Sequence, residues 1–123
     1  MNTRKGEHCW YIPDGYIPPT SAGQLTSHEA ICVLNCNEEN TRLEITIYFE
    51  DRDPIESILV EVAGKRTKHI KTNELHKEGR TIPLGVPYAI EVESDYPIIV
   101  QYSRLDSTQK ELALMSTIAY PLK

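Results

Sequence analysis

Eight consecutive residues, Leu43 to Glu50, alternate without a break: Leu43, Ile45, Ile47 and Phe49 are apolar, while Glu44, Thr46, Tyr48 and Glu50 are polar. A repeat of two is the spacing at which side chains leave opposite faces of an extended chain, so this stretch reads as a β-strand with one buried and one wet face. Such a strand needs a second apolar layer to cover it. The same short runs recur along the chain, at 8–12, 30–36, 57–63, 66–70, 88–93 and 98–104, and we read a last strand from about Leu112 to Tyr120. Turn chemistry separates them: Pro13-Asp14-Gly15 with Pro18-Pro19, Asn37 to Asn40, Asp51 to Pro54, Gly64-Lys65, and Ser94 to Pro97. Thr20 to Thr26 is small and polar and reads as a loop. Thr72 to Leu75 can form one helical turn capped by Thr72 or Asn73. Ile82 to Leu84 reads as a short edge piece, because Pro83 has no N–H to give a ladder. Many short strands with close turns and no long helix point to a sandwich or barrel. The expected fold is all-β: one antiparallel β-sandwich domain of about eight strands over residues 1–123, with at most one short helical turn.

Charge narrows the function. Thirteen basic and eighteen acidic residues leave a net charge of −5. Nucleic-acid binding rests on neutralising phosphates, so this balance argues against it as a general role, though a local basic patch is compatible with it. No run approaches the ~18 apolar residues of a membrane span. No apolar segment follows Met1-Asn2-Thr3-Arg4-Lys5-Gly6, so no secretory signal is expected and the chain reads as cytoplasmic. Three cysteines suit a reducing compartment. Cys32 and Cys36 lie in one apolar run; as a strand it would hold them about 13 Å apart, against the roughly 7 Å limit of a disulfide. Cys9 is the one candidate for a bridge or a reactive thiol.

The chain carries no phosphate-binding loop, dinucleotide turn, nucleophile elbow or zincin helix, and no catalytic residue or cofactor is assigned. His8, His28, His69 and His76 lack the short spacing of a structural zinc site, and no metal site is expected. Glu91 and Glu93 share one strand face and read as a solvated pair. Arg66 and Lys68 also share a face, either as a solvent surface paired with nearby acids or as an anion or polyol site. The most informative polar segment is Gln101-Tyr102-Ser103-Arg104-Leu105-Asp106, which continues an apolar strand. If the strand persists, Arg104 and Asp106 lie on one face, and Gln101 and Ser103 on the other. Arg104 and Asp106 either pair with each other or belong to a polar cluster at the mouth of the sandwich. Hydrogen-bonding groups beside an aromatic ring are what small polar ligands need. Trp10 could supply that ring or could be core.

One resemblance covers nearly the whole chain in order. It is carried by Trp10 with Gly15-Tyr16-Ile17-Pro18-Pro19, by Ser27-His28-Glu29-Ala30-Ile31-Cys32-Val33-Leu34-Asn35 and by Glu44-Ile45-Thr46-Ile47-Tyr48. It continues through Arg66-Thr67-Lys68-His69, Pro97-Ile98-Ile99-Val100-Gln101, Arg104-Leu105-Asp106-Ser107, Leu114 and Ser116-Thr117-Ile118-Ala119-Tyr120. On these segments the chain resembles the sensory rhodopsin transducer family of small bacterial proteins. The resemblance implies a β-sandwich protomer, a homotetramer, and a non-catalytic sensor or transducing module for a small polar ligand, with sugars among the candidates. It places the ligand site at Trp10, His28, Glu29, His69, Gln101, Arg104 and Asp106. Trp10 would stack on a ring, Glu29 and Asp106 would accept hydroxyls, and Arg104, His28, His69 and Gln101 would donate. Departures fall in the loops at 21–26 and 73–79 and at Cys36. A protein-interaction adaptor coupled to a membrane sensor, a DNA-binding regulatory tetramer and a sugar-acting enzyme stand as alternatives.

Overall fold

The computed structural model describes residues 4–19, 28–106 and 113–123, with the side chains of Asp106 and Ala113 outside that description. The expected loop at 20–26 and the start of the last strand at Leu112 therefore fall outside the described residues. The described chain is all-β, with strands β1 (Glu7–Gly15), β2 (His28–Asn35), β3 (Thr41–Phe49), β4 (Ile55–Val62), β5 (Arg66–Lys71), β6 (His76–Lys77), β7 (Arg80–Thr81), β8 (Tyr88–Asp106), β9 (Ala113–Ile118) and β10 (Tyr120–Leu122). One 3-10 turn occupies Thr72–Glu74. No helix among the described residues is long and apolar enough to cross a membrane.

All pairings are antiparallel, and β8 organises them. Its first half, from Tyr88 to Ser94, lies between β1 and β3, with β10 and β4 outside them. Its second half, from Ile99 to Asp106, lies between β2 and β9, with β5 beyond β2. The two layers of the sandwich thus share one 19-residue strand. Ser94 to Pro97, read from sequence as a turn, is instead the extended passage between layers. Pro97 cannot donate to a ladder, and Asp95 replaces lost pairing by accepting from Arg42 N and Thr41 Oγ1, each at 2.7 Å. These two contacts hold the Asp95 carboxyl below its usual range, the Thr41 hydrogen bond most strongly.

The alternating strand behaves as read. Leu43, Ile45 and Ile47 are buried against Val92, Ile90, Ile31, Val33 and Val100 in one continuous core. Other local expectations change. No side chain caps the 3-10 turn, whose cap position is Lys71; Thr72 is buried instead and its hydroxyl turns to the Glu29 carbonyl. Ile82 to Leu84 is not a strand. The edge hairpin lies just before it, β6 and β7 joined by Glu78-Gly79, both at positive φ, as a two-residue hairpin loop requires. All three cysteines are free.

Candidate functional site

Strand β2 turns Glu29, Ile31, Val33 and Asn35 toward the core, and each is fully buried. Period two dictates this: Ile31 and Val33 would both be exposed if the strand slipped by one position, so these two apolar residues carry Glu29 inward with them. Opposite β2, the second half of β8 pairs Arg104 with Glu29, Tyr102 with Ile31 and Val100 with Val33. A buried carboxylate is tolerated only when paired and hydrogen-bonded. Glu29 meets that condition on both oxygens. Oε2 accepts from Arg104 Nε at 2.5 Å and from Tyr16 N at 3.1 Å, while Oε1 accepts from Tyr16 N at 3.0 Å and from the Tyr88 hydroxyl.

Two tyrosines complete the cluster. Tyr88 reaches Glu29 because it faces Gly15 across the β1–β8 ladder; a Cβ on Gly15 would lie 2.5 Å from Tyr88 Cζ, closer than the two atoms can pack. Its hydroxyl also sits 2.9 Å from Thr72 Oγ1. Tyr102 accepts from Arg104 Nε at 3.2 Å. Burial raises both phenols well above the ordinary tyrosine range, and the adjacent Glu29 raises them further. No buried side-chain polar atom among the described residues lacks a partner.

Arg104 faces two ways. Its Nε is committed to Glu29 and Tyr102, yet the side chain keeps 25% of its surface open. It borders a hollow of about 420 Å³ whose walls include Tyr11, Asp14, Tyr102, Thr117 and Tyr120. That volume suits a small ligand. One wall is the C-terminal segment. β9 pairs with the second half of β8, β10 pairs with β1, and Ala119 between them is buried and donates to the Val100 carbonyl at 3.0 Å. The segment therefore straps one layer to the other across the hollow.

The residues proposed from sequence are not gathered in one place. Glu29 and Arg104 meet. Trp10 is 5% exposed, packed in the core with its indole N–H donating to the Glu7 and Ile98 carbonyls at 3.0 Å each. His69 and Gln101 flank Cys32 on the outer face, away from Glu29, and His28 shares that outward parity on β2. Asp106 pairs with Ala113 through its backbone, and its side chain lies outside the described residues. Sequence reasoning missed Tyr88, Tyr102, Thr72 and the Tyr16 amide. Tyr102 had a usable signal, since it stands two residues from Arg104 on the same strand face; nothing in the sequence links Tyr88 to Glu29 across 59 residues.

Comparison with known proteins agrees with this architecture. The chain matches the family described as Anabaena sensory rhodopsin transducer over residues 5–121. Among solved structures, the Thermotoga maritima 1070 crystal structure superposes with a TM-score of 0.84 at 38% identity, covering 95% of this chain and 96% of that one. The Anabaena sensory rhodopsin transducer superposes with a TM-score of 0.70 at 36% identity, covering 82% of this chain and 99% of that one. No curated protein matches.

Proposed function

This chain belongs to the Anabaena sensory rhodopsin transducer family, and we propose that within this family of transducer modules it is a non-catalytic cytoplasmic sensor that binds a small ring-shaped ligand in the hollow beside Arg104. The observation carrying this reading is the shared position of a guanidinium, fixed by a fully buried carboxylate, and three tyrosines on one cavity of about 420 Å³. Tyrosine rings offer stacking surface, while Arg104, Asp14 and Thr117 offer directed hydrogen bonds, a combination that suits a sugar or similar polar ring. The Glu29 pairing fixes the guanidinium before a ligand arrives, so less ordering is needed on binding.

The same segment supplies the output. Leu114, Ile118, Tyr120 and Leu122 are exposed along β9 and β10, with Leu114 77% and Tyr120 70% accessible. Such apolar surface on a strap that also walls the cavity fits a contact for a protein partner or for other copies in a homotetramer. Occupancy of the hollow would then bias the strands that make this contact. The same surface supports the second reading, an adaptor that uses only protein contacts and binds no small ligand.

A thermal-shift screen against sugars and other polar metabolites, with native mass spectrometry on the hits, tests the proposal. A ligand at 100 times its Kd should add about 2.7 kcal/mol. Thr117→Trp, which fills the hollow from an exposed position, should abolish that gain while leaving the unliganded midpoint nearly unchanged. A retained gain in Thr117→Trp would displace the site. A screen with no hit, together with capture of a protein partner lost on Leu114→Ser and Ile118→Ser, would favour the adaptor.

A further inference from the structure

On the outer face of the layer formed by β1, β8 and β3, the strand register brings a thiol and two carboxylates together. Cys9 on β1 stands directly opposite Glu93 on β8, and Glu91 lies two residues away on the same face. The Cys9 sulfur and one oxygen from each carboxylate all lie within 4.8 Å of one another. We propose that Cys9, Glu91 and Glu93 form a divalent-cation site for a borderline-soft ion of the zinc type, with water completing its coordination.

Three features support this beyond proximity. First, the donors are mixed: a sulfur with two carboxylate oxygens favours zinc-like ions over calcium or magnesium, which take oxygen ligands. Short shifts of the two glutamate side chains would close the donors onto one ion.

Second, one donor is held from outside. The Tyr48 hydroxyl donates to Glu91 Oε1 at 2.7 Å, and Tyr11 follows Cys9 on the same face of β1, opposite Glu91. Partners of this kind orient ligands in metal sites and tune their affinity.

Third, the face is short of positive charge. Glu44 stands opposite Glu93 on the β3 side, so Glu93 has a carboxylate on one flank and the thiol on the other. Among the described residues neither Glu91 nor Glu93 forms an ion pair. Arg42 borders the neighbouring hollow with Glu44 and Glu93 without pairing with either. Glu91 and Glu93 thus crowd together on one strand face beside Glu44. A cation relieves that crowding. On binding, the Cys9 thiol would give its proton to solvent, as coordinating thiols do.

The site would clamp β1 to β8. Tyr11, two residues from Cys9 on the same face of β1, is also a wall of the hollow beside Arg104, so a bound ion would stiffen that wall.

Cadmium titration of the full chain followed in the ultraviolet, with zinc titration by calorimetry, tests the site. Cadmium should give one equivalent of thiolate-to-metal charge-transfer absorption in the wild type and in Cys32→Ser/Cys36→Ser, and none in Cys9→Ser. Glu91→Gln/Glu93→Gln should keep the fold and weaken zinc about tenfold or more, within the range that loss of metal-site partners produces. A charge-transfer band that survives in Cys9→Ser, zinc affinity unchanged in the glutamine pair, or absence of zinc binding by the wild type would each overturn the proposal.

Discussion

The two ends of β2 solve the same problem in different ways. Glu29 and Asn35 both point into the core, six positions apart on one strand face, and both are fully buried. At the Asn35 end the solution is neutral and closed. Its Nδ2 donates to the carbonyls of Glu39, Val62 and Ala63 at 2.9, 3.2 and 3.3 Å, and its Oδ1 accepts from Asn37 N and Nδ2 at 3.0 and 2.8 Å. Asn37 in turn donates to the Pro97 carbonyl at 2.8 Å, tying the β2–β3 turn to the passage of β8 between layers. At the Glu29 end the solution is charged and half-open, because Arg104 satisfies the carboxylate from a position that also borders a cavity. A protein needing only to satisfy its backbone can do so with an amide. A carboxylate–guanidinium pair at a cavity wall adds a preset hydrogen-bonding edge, and the proposed ligand site rests on that difference.

The comparison breaks first at the charged end. Arg104→Met should cost about 3–5 kcal/mol in urea unfolding, because it leaves a buried carboxylate without its cation. A loss below 1 kcal/mol would show that Glu29 is served well enough by Tyr16 and Tyr88 alone. Asn35→Ala should come next, at about 2–3 kcal/mol, since it strands more than one buried polar group and each costs roughly 1–3 kcal/mol. It should leave ligand responses at Arg104 intact, which would separate the closed end from the proposed site. Gly15→Ala should cost about 1–2 kcal/mol, because a Cβ there forces the Tyr88 ring off its seat; Ala at the exposed Gly79, where a Cβ meets nothing within 4 Å, supplies the contrast and is strained only by its positive φ.

The smallest effect at neutral pH is the alkaline one, and its sign follows from the raised phenols. Tyr88 and Tyr102 hold their protons in the fold beyond the value of about 10 at which they release them when unfolded. Their contribution is therefore complete below pH ~10 and is lost as pH rises above it, when the unfolded chain binds fewer protons. Urea midpoints measured across that interval should fall, and Tyr88→Phe should flatten the fall. Asn35 has no proton equilibrium and cannot produce this dependence, so an unchanged slope in Tyr88→Phe would place its source elsewhere.

Most of the fold was legible because it follows from local pattern. The alternation at 43–50, the apolar run at 30–36 and the turn residues locate the strands within a few positions. What escaped was set at long range. Ser94 to Pro97 has turn-like composition, but two layers need a connecting strand there and Asp95 makes the extended path tolerable. Thr72 looked like a cap because that is its local use, while a buried carbonyl from β2 claimed its hydroxyl. Of the site, Glu29 and Arg104 could be named from family resemblance, yet their pairing is a property of the β2–β8 register, which no local window contains. Trp10 illustrates the reverse: its chemistry fits a binding platform, and only the packing shows that its ring faces the core.

One feature of β8 reaches further than topology. Because a single uninterrupted ribbon serves both layers, neither can choose its strand alignment alone. A slip by one residue in either half would exchange inward for outward side chains along that half, taking Arg104 from Glu29 or Tyr88 from Gly15. The two halves of the molecule are geared together through the backbone itself, since each takes its alignment from the same strand.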